Sequence, residues 1–203
     1  MTNTAILPYP HTPIQIRQVT DYPWNGRIHL TLNPEQTAAF TLHLRIPGWA
    51  QNQPVPSDLY HYLRPTAEQV SLQINGERFL AEPLNGFAAI ERTWQDGDSV
   101  EIDLPMPVQR VVSHEQVAVN QGRVALERGP LVYCVEGADN GRLADLQLPD
   151  NAALTVEHQP DLLGGVTVIR GEGERPFLAI PYYAWANRGV SEMAVWLPRG
   201  SNR

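Results

Sequence analysis

The sequence predicts an all-β protein: two consecutive antiparallel β-sandwich or jelly-roll-like domains with little helix. Three observations carry this. Apolar residues recur at every second position through most of the first half. Turn residues, including the hairpin dipeptide Asn75-Gly76, sit between those runs. The 18 prolines in 203 residues are about twice the usual ~5% and leave little room for long helices. No helical stripe of 3.6-residue period competes.

Taken in order, Arg27 to Leu32 sets Ile28, Leu30 and Leu32 against Arg27, His29 and Thr31, and Phe40 to Ile46 repeats the pattern with His43 on its polar face. Between them Asn33-Pro34-Glu35-Gln36 reads as a turn, so a hairpin with one buried face is expected. Val70, Leu72 and Ile74 alternate up to Asn75-Gly76, where a type I′ turn needs φ > 0 at both central residues; the partner strand runs through Arg78 to Leu80. Ala88 to Trp94 and Ser99 to Leu104 flank Gln95-Asp96-Gly97-Asp98, read as a second turn of that kind.

Leu104-Pro105-Met106-Pro107 ends the pattern, since two prolines remove two ladder donors. A boundary is expected between 110 and 118, giving a first domain over 1–112 and a smaller second one over 113–203. In the latter, Arg123 to Glu127, Pro130 to Glu136, Thr155 to His158, Gly165 to Arg170 and Ala194 to Leu197 read as strands. Residues 51–66 form a long, proline-bearing connection, and a loop of that length in a compact domain is usually functional or interface-making.

Composition narrows the function classes. A net charge of −7 without any Lys/Arg cluster argues against nucleic acid as a partner. No apolar stretch approaches the ~18 residues of a membrane span, and the first ten residues lack the basic and apolar regions of a signal peptide, so the chain as written is expected in the cytoplasm. The single cysteine, Cys134, excludes an internal disulfide and a Cys-rich zinc site.

Motifs for chemistry are weak. The six histidines His11, His29, His43, His61, His114 and His158 have no ligand spacing; His29 and His43 would meet across the expected hairpin, but polar residues on an exposed face are the better reading. Asp96-Gly97-Asp98 reads as a solvated turn rather than a calcium loop, and Gly171-Glu172-Gly173 as a turn rather than a dinucleotide fingerprint. Cys134 lies in an apolar run where burial raises a thiol pKa, so it is read as a packed structural residue. Glu91, Glu101, Glu127 and Glu136 offer carboxylates for glycoside chemistry, but sequence places no two of them about a cleft. Aromatic faces suit the C–H face of a sugar. Among five tryptophans and seven tyrosines, Tyr60 and Tyr62 stand out for exposed contact because they lie in the 51–66 loop.

Several segments, in order, carry a family resemblance: Thr20-Asp21-Tyr22-Pro23-Trp24-Asn25-Gly26, Leu44-Arg45-Ile46-Pro47-Gly48-Trp49-Ala50, Pro54-Val55-Pro56-Ser57-Asp58-Leu59-Tyr60, Arg128-Gly129-Pro130-Leu131-Val132-Tyr133-Cys134, and Ile180-Pro181-Tyr182-Tyr183-Ala184-Trp185-Ala186-Asn187-Arg188-Gly189. From about residue 14 to 198 the chain resembles the non-catalytic β-domains of glycoside hydrolase family 127, which contains β-L-arabinofuranosidases and was formerly called domain of unknown function 1680. The resemblance implies a middle and a C-terminal β-domain without the family's (α/α)₆ barrel. It places the zinc-bound cysteine nucleophile and the acid/base in that barrel, so no catalytic residue, metal ligand or cofactor is carried onto this chain.

The expected function is therefore an accessory, structural β-region that does not hydrolyse by itself. Its expected partner is the family's catalytic barrel in cis or in trans, and Trp49, Tyr60, His61 and Tyr62 are the residues expected to contact barrel or glycan. The alternative is an independent carbohydrate-binding module for arabinose-rich, plant-derived glycans.

Overall fold

The computed structural model describes residues 1–9, 12–172 and 175–200; His11 and Gly173 lie outside the described residues. The strands of the first half are β1 (Thr2–Tyr9), β2 (Thr12–Thr20), β3 (Arg27–Pro34), β4 (Ala38–Arg45), β5 (Tyr60–Tyr62), β6 (Ser71–Ile74), β7 (Glu77–Phe79), β8 (Phe87–Trp94) and β9 (Asp98–Asp103). They are followed by β10 (Val108–Ser113), β11 (Arg123–Arg128), β12 (Leu131–Glu136), β13 (Leu154–Gln159), β14 (Val166–Gly171), β15 (Phe177–Pro181), β16 (Met193–Ala194) and β17 (Leu197–Pro198). Helix among the described residues amounts to the single turn α1 (Gly137–Asn140) and short 3₁₀ turns, so the all-β expectation holds. Among the described residues no helix is long and apolar enough to cross a membrane.

Two compact units form, one from residues 1–51 and 67–106, the other from 52–66 and from 107 onward. The expected division after residue 112 falls at the end of β10. That strand ladders with β11, which ties it to the second unit, while the break in pairing comes at the prolines 105 and 107. The 52–66 segment joins the second unit because β5 within it pairs with β10, Val111 opposite Tyr62 and Ser113 opposite Tyr60.

The first unit packs a six-stranded antiparallel sheet, β1-β2-β3-β9-β6-β7, against the pair β4-β8. Their inward residues share one core: Leu30, Leu32, Ile74 and Val100 from the larger sheet, Leu44, Ala88, Ile90 and Trp94 from the smaller. Trp94 is wholly buried, and its indole N–H donates to the Phe40 carbonyl at 3.0 Å, so the large ring is buried without an unmet donor.

The hairpin expected between Arg27–Leu32 and Phe40–Ile46 does not form. β3 pairs β2 and β9, while β4 pairs β8. Alternation fixes which face of a strand is apolar but not its neighbour, and here the turn after Pro34 carries the chain from one sheet to the other, so the two apolar faces bury each other. The Gln95–Asp98 turn likewise links β8 and β9 across sheets rather than closing a hairpin. Asn75-Gly76 does close one: β6 pairs β7, with φ of 52° and 81° at the two residues.

The second unit is a nine-stranded sheet with the path β13-β14-β15-β12-β11-β10-β5, β16 adding to β12 and β17 to β11. Its strands β11, β12, β14 and β15 are covered on both faces, whereas the edge strand β13 is mostly exposed. Tyr133 and Val135 of β12 enter a core with Val124, Leu126, Leu146, Leu148 and Ile169, while Cys134, between them, enters another with Val166, Val168 and Ile180. Two-sided burial is why Val124-Ala125-Leu126 and Val166-Thr167-Val168-Ile169 run nearly unbroken in buried residues rather than alternating.

Candidate functional site

The 52–66 segment is closed at its base by Asn52 and Thr66. The Asn52 side chain donates to the Thr66 carbonyl at 3.1 Å and accepts from the Thr66 N–H at 2.9 Å. Asn52 sits at φ 61°, a left-handed conformation that asparagine tolerates better than most residues. The segment is thus a compact loop with joined ends and one strand of its own.

β5 alternation decides what its three residues can touch. Tyr60 and Tyr62 share one face and His61 takes the other, where it is exposed. Tyr60 is half-buried, its ring tilted against Trp196 with centroids 5.6 Å apart. Tyr62 is buried, and its hydroxyl donates to Glu127 Oε1 at 2.9 Å. That ring face is packed against Val111 and Ala125 and is not available to a ligand. Trp49 is half-buried and packs against the first unit's core. The four residues are thus split between the two units, three on β5 and Trp49 in the first unit.

The carboxylates have separate engagements. Glu91 and Glu101 lie on β8 and β9, in different sheets, and are exposed on the outer faces; Glu101 Oε1 is 3.4 Å from His29 Nδ1. Burial pushes the Glu127 carboxyl up to about 7, against the opposing effect of the Tyr62 hydrogen bond. Glu136 is fully buried, accepts the Ala186 N–H at 2.8 Å and pairs with Arg188. Glu127 is opposite Val132 in the β11–β12 ladder, so Glu136 is four residues farther along, roughly 13 Å. Each carboxylate is committed to its own partner, Glu127 to the Tyr62 hydroxyl and Glu136 to Arg188.

Cys134 is buried, as its apolar run implies; burial first, then the Glu136 and Asp139 carboxylates, push its thiol up to about 12. At neutral pH it is a thiol, not a nucleophilic thiolate. His29 and His43 do not meet, because their strands belong to different sheets and both side chains point away from the shared core. Among the described residues no group of three or more His, Cys, Asp or Glu is placed to hold a metal ion. The Asp96-Gly97-Asp98 turn is more than solvated: Asp98 is buried and its carboxylate accepts from Gln95 N–H and the Asn75 amide, both at 2.8 Å. Burial raises its pKa, but those donors with Arg92 outweigh it and hold the carboxyl below the usual range.

Two exposed features were not singled out from sequence. β1 is exposed along its whole length, Ile6 at 71% and Leu7 at 46%, although it pairs β2 over eight positions. The segment after β15 holds Tyr182 at 44% and Trp185 at 38% exposure, in a Pro-Tyr-Tyr-Ala-Trp run whose i, i+3 aromatic spacing was the available signal.

Comparison with known proteins accounts for the two units. Residues 2–106 match the family model for the beta-L-arabinofuranosidase GH127 middle domain, and residues 108–198 match the glycoside hydrolase family 127 C-terminal domain. A non-reducing end beta-L-arabinofuranosidase of Bifidobacterium longum subsp. longum is 29% identical over 92% of this chain and 30% of its own length. A solved GH127 beta-arabinofuranosidase superposes with a TM-score of 0.92 at 34% identity, over 98% of this chain and 34% of its own. A GH127 beta-L-arabinofuranosidase from Geobacillus stearothermophilus T6 gives 0.84 at 41% identity, over 97% and 32%. The chain spans about a third of the length of these relatives.

Proposed function

Because the chain belongs to glycoside hydrolase family 127 as its middle and C-terminal domains, we propose that it is an accessory β-region that packs against a catalytic barrel, in cis or in trans, and does not hydrolyse glycosides by itself. The observation that carries this reading is β1, an eight-residue edge strand with both faces open and Ile6 and Leu7 in solvent. Ile6 and Leu7 stand bare on opposite faces of β1, and an unpaired sheet edge presents free N–H and C=O groups that natural proteins cover or blunt. A partner that covers β1 removes both costs. The separate engagements of the carboxylates and the high thiol pKa of Cys134 support the non-catalytic half of the proposal.

Two measurements test it. The purified chain is expected to leave an aryl β-L-arabinofuranoside intact; turnover retained through repurification would overturn the non-catalytic reading. Mixed with the separately expressed barrel of a family relative, it is expected to form a one-to-one complex in light scattering, lost on Ile6→Asp with Leu7→Asp. A complex indifferent to those changes would remove β1 from the interface.

A further inference from the structure

We propose that Tyr182 and Trp185 form a stacking ledge for a neutral glycan on the second unit. This does not depend on the accessory reading, since the ledge lies within the chain and binding is measured without a barrel.

The ledge follows from its local sequence. Pro181 closes β15 and starts a 3₁₀ turn over Tyr182–Ala184, and the Trp185 N–H closes it on the Tyr182 carbonyl at 3.3 Å. At three residues per turn, side chains i and i+3 eclipse. The two rings accordingly lie within 26° of parallel with centroids 6.3 Å apart, and both stay substantially exposed.

The turn is held more firmly than an exposed loop requires. Ala186 sits at φ 64°, a conformation alanine avoids, and its N–H is anchored on buried Glu136. Asn187 donates to the Ala184 carbonyl at 3.0 Å. Arg188 clamps Glu136 and Asp139 together. A buried ion pair is costly to assemble and adds little stability. Spending one, with a strained alanine, to fix two solvent-facing rings fits a preorganised binding surface.

Ligand class follows from charge and shape. An aromatic face carries the negative part of the ring quadrupole and suits the weakly positive C–H face of a sugar. Arg188 is neutralised by two carboxylates and the chain carries −7, so an anionic ligand is disfavoured. The two rings are stacked on each other, so a sugar would lie on an outer ring face of the pair and not between the rings.

Affinity electrophoresis of the full chain in gels containing debranched arabinan, arabinoxylan or dextran, with a proline-rich peptide tested by tryptophan fluorescence, decides the matter. Retardation is expected in at least one of the three gels. It should weaken roughly tenfold on Tyr182→Ala or Trp185→Ala, less on Trp185→Phe, and stay unchanged on Tyr60→Ala. The Phe variant keeps the test decisive should the Ala variants fold poorly. No retardation in any gel, retardation indifferent to both aromatic positions, or binding of the peptide instead would overturn the proposal. None of these outcomes bears on the β1 complex.

Discussion

The Tyr62 hydroxyl donates to Glu127 Oε1 at 2.9 Å, joining two strands that both ladder with β10, and both residues are buried. The cross-strand neighbours of Glu127 are Gln109 and Val132, which bring no charge to compensate an ionised carboxylate.

Stability is therefore expected to fall as pH rises. The folded-state pKa of Glu127 is raised to about 7 from an ordinary 4.5. The contribution is complete below pH 4.5, where both folded and unfolded chains are protonated. Between 4.5 and 7 the unfolded chain releases the proton first, and about 3 kcal/mol is lost by the time pH passes through 7. Urea melts of wild type and Glu127→Gln should diverge across this window, with the variant the more stable by about that amount at pH 8 and equal near pH 4. Parallel curves at all pH values would show that Glu127 ionises without penalty.

Asn52→Ala removes both hydrogen bonds that close the loop and places alanine at positive φ. A loss of about 1–2 kcal/mol is expected, seen more directly as faster protease cleavage within residues 53–59. Asn52→Gly restores the backbone conformation but not the hydrogen bonds, so its cleavage rate should lie between the two.

What was legible in the sequence was set by the kind of signal each residue leaves. Asn75-Gly76 announces its turn because few other pairs tolerate two positive φ angles, and that hairpin forms as read. Pro34 and Gly97 mark turns equally well, yet the strands beside them part into different sheets, because pairing partners are chosen by the whole core and not by the turn. Tyr62 and Glu127 are 65 residues apart, and nothing local in either says that β5 leaves its sequence neighbours to join β10. The aromatic residues of the 52–66 loop looked exposed because loops usually are. Strand pairing buries one of them, while the exposed rings lie in a 3₁₀ turn whose i, i+3 spacing, not its burial, is what the sequence records.

Arg188→Met leaves the Glu136 carboxylate buried with the Ala186 N–H and loses its cation. A destabilisation of about 3–5 kcal/mol is expected. Adding Glu136→Gln removes the stranded charge, so the double variant should recover most of it in denaturant melts. Additive losses would mean that Arg188 acts through Asp139 alone.

Gly26 is required for space rather than for an unusual φ. It lies just before β3, where its carbonyl accepts the Leu104 N–H at 3.1 Å and so ties the start of β3 to the end of β9. A Cβ at residue 26 would stand 1.8 Å from the Leu104 carbonyl oxygen, which is backbone and cannot rotate away. Gly26→Ala must therefore push these strand ends apart, although Leu104 is 3% exposed and anchored in the core shared with Leu72 and Ile102. Overpacking of this kind costs about 3 kcal/mol, which should appear as a lower melting transition with hydrogen exchange accelerated in β3 and β9. Exchange in β11 and β12, whose side chains pack in separate cores of the other unit, should stay unchanged. Uniform acceleration across both units would mean that the two unfold as one.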